Sequence, residues 1–321
     1  MPIRKELFGE INGEKIYKFV IENNRGFSVK VMNYGATITD IIMGGANLVY
    51  GYGTLDEYVR GEDYVGATVG RFANRIGGAE FEIDGVRYEL AANDFENQCH
   101  GGIVGFNAKI WAAEPYDNGV KMTLFSPDGD ENYPGNLTLE VTFEVSDDNA
   151  LKIHYFAKID KKTPINFTNH AYFNLSGRRN GKIFGHYLWL DAGKYLEIDE
   201  KLLPTGNVID VSGTDFDFRK EKAVTGGFDH CFVFTERAEK LPKRAAAQDT
   251  VSGRRMELFT DMPCVQLYTA NTLEGAPHEA FCLETQFMPD SMHHAHFTNC
   301  ILSPGENFES TTTYKFYNKG E

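Results

Sequence analysis

The sequence predicts an all-β protein, specifically a large antiparallel β-sandwich, and three observations carry that prediction. Several runs alternate apolar and polar residues with a period of two, Asn-Gly and Asp-Gly pairs punctuate them, and helical periodicity is scarce. No Pro/Gly/Ser-rich linker divides the 321 residues and no repeat of solenoid length is present. The whole chain, 1–321, is therefore read as one domain, long enough to bury a substantial core.

The strongest strand signal is Leu137-Thr-Leu-Glu-Val-Thr-Phe-Glu-Val145, which alternates without a break. A strand with one face on a core reads in this way. Leu151 to Ile159 repeats the pattern. Asp147-Asp148-Asn149 lies between them, so the two runs predict an antiparallel hairpin. Phe81 to Leu90 predicts a second hairpin, with Asp84-Gly85 as a two-residue turn. Asn12-Gly13 and Asn118-Gly119 mark two further turns, the latter followed by a strand over Val120 to Phe125. One short helix is expected around Thr54 to Tyr58, where Thr54 and Glu57 have the spacing of a capping box. The charged, Ala-rich segment Glu236 to Ser252 reads equally as a short helix or an exposed loop.

Composition excludes several functions. A formal net charge of −14 repels phosphate backbones, which argues against nucleic acid as a partner. The five cysteines (Cys99, Cys231, Cys264, Cys282 and Cys300) are odd in number and contain no C-x-x-C pair. That suggests reduced thiols and a cytoplasmic location, not a disulfide framework or a zinc finger. Met1 to Glu10 is charged and lacks the apolar run of a signal peptide, and no stretch has the length to span a bilayer. Aromatic residues at 13%, with 32 glycines, lean towards strands joined by tight turns.

Alternation leaves four dense polar segments unexplained. Gly66 to Ile76 crowds Arg71, Asn74 and Arg75 beside glycines, either as donors presented to a ligand or as braces for loop carbonyls. Asn97-Gln-Cys-His-Gly-Gly102 places His100 where the backbone can approach a ligand closely. Phe167 to Leu175, if a strand, puts Thr168, His170 and Tyr172 on one face; the alternative is a hydrogen-bonded core histidine. In Phe281 to Phe287 a carboxylate, Glu284, stands in an otherwise apolar stretch, where it needs partners or a raised pKa. Asp229 beside His230, and Gln266, Tyr268 and Asn271, are weaker signals that ordinary surface polarity explains equally well. His293, His294 and His296 invite a metal reading. On a strand only His294 and His296 share a face, and two ligands do not close a zinc site, so no metal is expected. Nucleotide-binding glycine fingerprints, Walker loops and G-x-S-x-G elbows are absent from the sequence.

Taken in order, Asn74-Arg75, Asn97 to Gly102, Thr168 to Leu175, Gly227 to His230 and Cys282 to Gln286 resemble the motifs of the aldose 1-epimerases, or galactose mutarotases. Asn33 to Ala36, Ser126 to Gly129, Tyr133 to Asn136, Leu203 to Gly206 and Ser303 to Glu306 add to the resemblance, which runs from about residue 10 to the C-terminus. It implies the galactose mutarotase-like supersandwich, with a free monosaccharide bound in an open cleft. It implies His170 as general acid and Glu284 as general base. Asn74, Arg75, His100, Tyr172, Asp229 and Gln266 are implied as sugar-binding residues. Neither cofactor nor metal is implied, the chain is expected as a monomer or homodimer, and galactose breakdown is the family's setting. Glu306 resembles a structural residue, not the base. Ala270 stands where the family has Gly, and Phe287, Met288 and Met292 to His296 also depart from its pattern. These changes are expected near the cleft rim, where they bear on the preferred sugar. Two other readings stay open: an epimerase for hexose 6-phosphates, which needs basic residues for the phosphate, and a non-catalytic carbohydrate-binding protein, which has no use for His170 and Glu284 together.

Overall fold

The computed structural model describes residues 3–177 and 181–320. Two large antiparallel sheets dominate. One has nine strands in the order 112–116, 119–126, 137–145, 150–159, 307–317, 255–260, 243–249, 186–190, 222–223. The other has seven, in the order 204–210, 192–198, 229–234, 264–268, 281–286, 172–173, 49–50. A five-stranded sheet built from residues 4–47 packs beside them.

The sheets meet face to face because alternation leaves each with one apolar side. Strand Leu137–Val145 buries every second residue, and its register with Ala150–Ile159 runs from Leu137↔Ile159 to Val145↔Leu151. Val141, Phe143, Ile153 and Tyr314 of the larger sheet share one core with Val265, Leu267, Phe281 and Leu283 of the smaller. Across this seam the Phe173 and Tyr314 rings lie 4.9 Å apart, and the Tyr314 hydroxyl donates to the Leu283 carbonyl at 2.9 Å. Phe27 ties the five-stranded sheet in, with its ring 5.5 Å from that of Phe316.

The turns follow their sequence chemistry. Asp84 and Gly85 both take positive φ, +53° and +78°, in a two-residue turn between Ile83 and Val86. Helix Leu55–Arg60 begins at Thr54 with the capping box closed on Glu57. Three expectations need correction. Segment 236–252 is neither a helix nor a loop over much of its length, because Lys243–Asp249 is a strand between 186–190 and 255–260. Alanines 245 and 247 turn inward there, so neighbours on both sides override a composition that favours helix. At the fourth turn Tyr116 pairs with Gly119, so the turn residues are Asp117 and Asn118 and Gly119 opens the strand. The preceding strand contains Pro115, which the sheet tolerates because 112–116 is an edge. Finally, 167–175 is not one strand. Thr168–Asn169 pairs with Thr68–Val69, whereas Tyr172–Phe173 joins the seven-stranded sheet.

Candidate active site

A cleft of about 860 Å3 opens beside the seven-stranded sheet. A separate hollow of about 20 Å3 near Tyr52 is no larger than a water. The cleft floor comes from strand Phe281–Gln286, which is buried on both faces. Phe281 and Leu283 face the core, and Thr285 meets Thr312 of the larger sheet at 2.6 Å. Period two therefore sends Cys282 and Glu284 to the opposite side. His170 sits in the link between its two short strands. Its backbone N–H donates to Ala67 and its carbonyl accepts from Gly66, both at 2.9 Å, so the residue is held from either side.

These placements put His170 Nε2 3.6 Å from Glu284 Oε1, both side chains almost fully buried. Glu284 Oε2 has no protein partner. Burial, and secondarily the charge of Asp229 against a smaller opposing effect of Arg75, raises the Glu284 pKa well above the usual carboxylate range. Burial pushes His170 down to about 4. Both shifts disfavour charge, biasing Glu284 towards its protonated form and His170 towards its neutral form. Its Nδ1 faces the buried thiol of Cys282 at 3.6 Å.

His100 occupies the opposite wall at φ +52°, followed by Gly101 at +88° and Gly102 at +104°. A Cβ on Gly101 would lie 2.0 Å from the Gly70 carbonyl oxygen, which is why this turn requires glycine. The His100 ring stands edge-on to His170, centroids 5.4 Å apart, and against Tyr64 at 4.6 Å. Burial, with help from His170 and Arg75, holds its pKa well below the ordinary value. His100, His170 and Glu284 are the only group of three potential metal ligands found among the described residues, with ligand atoms within 4.8 Å of one another. His100 Nδ1, however, accepts the Asn74 N–H at 3.2 Å. The neutral ring therefore carries its hydrogen on Nε2 and presents a donor, which fits a hydroxylated ligand better than an ion.

Asn74, Arg75, His100, His170, Tyr172, Asp229 and Glu284 all line the cleft. Gln266 does not reach its surface. It sits behind Asp229, donating from Nε2 to Oδ1 at 2.7 Å. Thr168 is fully buried and is not among the lining residues. Arg71 proves to be the loop brace: it is 1% exposed and donates to Pro134 O, Gly135 O and Ser126 Oγ at 2.8, 3.0 and 2.6 Å. The rim expectation is corrected for Phe287, Met288 and 292–296, which are absent from the cleft lining, whereas Ala270 directly precedes the lining residues Asn271 and Thr272. Ala270 holds the left-handed conformation that favours glycine, at φ +50°, and Phe287 packs against Phe308. His294 and His296 donate to the carbonyls of Pro204 and Gly206 at 3.2 and 2.8 Å. Glu306 closes a turn by accepting from the Ser303 N–H at 3.1 Å. Tyr64 and Asp94 line the cleft without having been singled out in the sequence. Tyr64 stands two residues before Gly66, and Asp94 belongs to an Asn-Asp turn signal.

An imidazole and a carboxyl sharing one proton at the floor of a polar cleft can remove a proton from a hydroxylated ligand at one atom and return one at another. Comparison with known proteins specifies the class further. The family model for aldose 1-epimerases matches residues 17–315. Human galactose mutarotase is 37% identical over 98% of each chain. The aldose 1-epimerase of Escherichia coli K12 is 32% identical over 95% of this chain and 96% of its own. Among solved structures, the galactose 1-epimerase of Lactobacillus acidophilus superposes with a TM-score of 0.88 at 28% identity, covering 99% of both chains. An aldose epimerase homologue from C. elegans gives 0.89 at 27% identity, covering 94% of this chain and 99% of its own. The fold is thus that of the galactose mutarotase-like β-sandwiches, and the class is a sugar isomerase. The chain belongs to the aldose 1-epimerase family, whose general activity it shares.

Proposed function

We propose that the protein interconverts the α and β anomers of free aldohexoses such as galactose and glucose by general acid–base ring opening, with Glu284 and His170 as the reacting pair. The observation that carries this reading is the 3.6 Å approach of His170 Nε2 to Glu284 Oε1 at the cleft floor, with Glu284 Oε2 unpartnered. Glu284 takes the proton of the C1 hydroxyl. The C1–O5 bond breaks, its electron pair goes to O5, and His170 delivers a proton there. Rotation about C1–C2 presents the other carbonyl face, and reclosure exchanges the two roles. The productive form, carboxylate with imidazolium, differs from the uncharged pair by one proton transfer across the 3.6 Å gap. Bound hydroxyls that donate to Glu284 favour that transfer. Nothing is oxidised and no group is transferred, so the reaction asks for no cofactor.

Arg75, Asn74, His100, Tyr172 and Asp229 hold sugar hydroxyls and Gln266 steadies Asp229, which positions C1 between acid and base. The galactose mutarotase relatives support galactose as a substrate. A phosphorylated hexose is disfavoured because the cleft is lined by Glu62, Asp63, Asp94, Asp229 and Glu284 against two arginines, Arg60 and Arg75, each of which has a carboxylate neighbour in Asp56 and Asp94. The unpaired cysteines accord with a reducing cytoplasm. Polarimetry tests the proposal: fresh α-D-galactose and α-D-glucose should equilibrate faster with the protein, and glucose 6-phosphate should not. Catalysis confined to the phosphate ester, or sugar binding with no rate enhancement, would overturn it.

A further inference from the structure

Arg75 is held unusually firmly for a residue whose work is to meet a ligand. It lies on the short strand Arg75–Ile76, opposite Cys99. Its Nε donates to Asp94 Oδ2 at 2.6 Å, with the two side chains 14% and 24% exposed. No hydrogen bond engages its Nη atoms among the described residues, so the end of the guanidinium is open to the cleft that both residues line.

Asp94 is itself fixed by a small scaffold. Its N–H donates to the Asn97 carbonyl at 3.1 Å and its own carbonyl accepts from Asn97 at 2.9 Å. Asn97 is fully buried and accepts the Gly78 N–H at 3.1 Å. Next to it, Asn93 ties the turn to the His100 loop, donating to Cys99 O and Gly102 O and accepting from Cys99 N–H at 2.7 Å. The backbone that carries the Asp94 carboxylate is therefore held in place.

Asp229 lines the same cleft. Burial opposes the guanidinium charge, but Cys99, Asp229 and Asp94 together outweigh it, so the Arg75 pKa lies above its ordinary value.

We propose that Asp94 is a positioning residue: by holding Arg75 at Nε it aims the Nη pair into the cleft. This rests on the reading that Arg75 binds sugar. The two can be told apart with a double-mutant cycle in which KM and kcat for mutarotation of α-D-glucose are measured for wild type, Asp94→Ala, Asp94→Asn, Arg75→Ala and Asp94→Ala/Arg75→Ala. A charge-assisted hydrogen bond misplaced in this way should raise KM about tenfold in Asp94→Ala, with kcat within about threefold. Asp94→Asn keeps an acceptor for Nε–H, should recover part of the loss, and carries the test if the alanine variant fails to fold. In the Arg75→Ala background, removing Asp94 should add nothing further. An unchanged KM in both Asp94 variants, or a full additional loss on top of Arg75→Ala, would overturn the positioning role while leaving the sugar site intact. A wild-type KM in Arg75→Ala would instead remove Arg75 from sugar binding, and the proposal with it.

Discussion

Replacing Glu284 by Gln should separate the activity of the cleft from its stability, with opposite signs. The amide has nearly the shape of the carboxyl, and the side chain is 2% exposed, so the local packing survives. What goes is the proton acceptor. A positioned general base contributes about 10²–10⁴-fold, equivalent to about 3–5 kcal/mol of barrier, and mutarotation should slow by that factor with KM little changed. Stability should move the other way. Burial raises the Glu284 pKa in the folded chain, so the folded state binds its proton more tightly than the unfolded state does. Wild-type stability therefore falls as pH climbs from the ordinary carboxylate range towards the folded pKa, at about 1.4 kcal/mol per pH unit where the difference is complete. The amide carries no such dependence, and the margin of Glu284→Gln over wild type should widen from about pH 5 to about pH 8. Polarimetry on fresh α-D-glucose and thermal melts at the two pH values read both effects. A variant that turns over at the wild-type rate, or a stability margin indifferent to pH, would refute the assignment of Glu284 as a buried, proton-exchanging base.

The remaining tests are simpler. Because His170 takes up a proton only near pH about 4, acid should abolish turnover around that point by adding a second proton to the pair, and base should abolish it by removing the shared one; a flat kcat/KM profile across the acid limb would contradict this. Gly101→Ala drives a Cβ against the Gly70 carbonyl and should cost about 1–3 kcal/mol of stability while displacing His100, with kcat/KM for glucose as the readout; full activity would show that the turn can relax. Arg71→Lys loses the fork that reaches Ser126, Pro134 and Gly135 and should destabilise by about 3–5 kcal/mol in chemical denaturation, because breaking a buried charged network leaves partners unsatisfied. An unaltered midpoint would argue against its bracing role. Asp229→Ala should mainly raise KM, since its carboxylate lines the cleft and is held by Gln266; an unchanged KM would remove it from the sugar.

Much of this architecture was legible where one force decides. The hairpin from Leu137 to Ile159 alternates so cleanly that pattern and structure coincide, and Asp84-Gly85 and Thr54…Glu57 announce a turn and a cap through backbone chemistry that needs no distant partner. The strand at 243–249 was hidden because its alanines gain a strand's conformation from strands on both sides, one of which, 186–190, is distant in sequence. The site shows the same division. Glu284 was conspicuous as a carboxylate in an apolar run. Arg71 and Arg75 looked alike, four residues apart, and only the tertiary structure sends one to loop carbonyls and the other to the cleft. Asp94 was masked by the ordinary appearance of a turn, and the departures at Phe287 and 292–296 suggested a rim because chain proximity to Glu284 was mistaken for spatial proximity to the sugar.

The cleft floor belongs to a sheet strand locked between two layers, whereas Tyr64, Asp94, His100 and Asp229 are presented by connecting segments or a strand end. Anyone wishing to retune this protein towards another aldose can therefore leave the proton-handling strand untouched and vary the exposed lining positions of the connecting segments, such as Glu62, Ile103 and Thr272. Such a library keeps the buried supports at Asn97 and Gln98 and should retain turnover while spreading sugar preference.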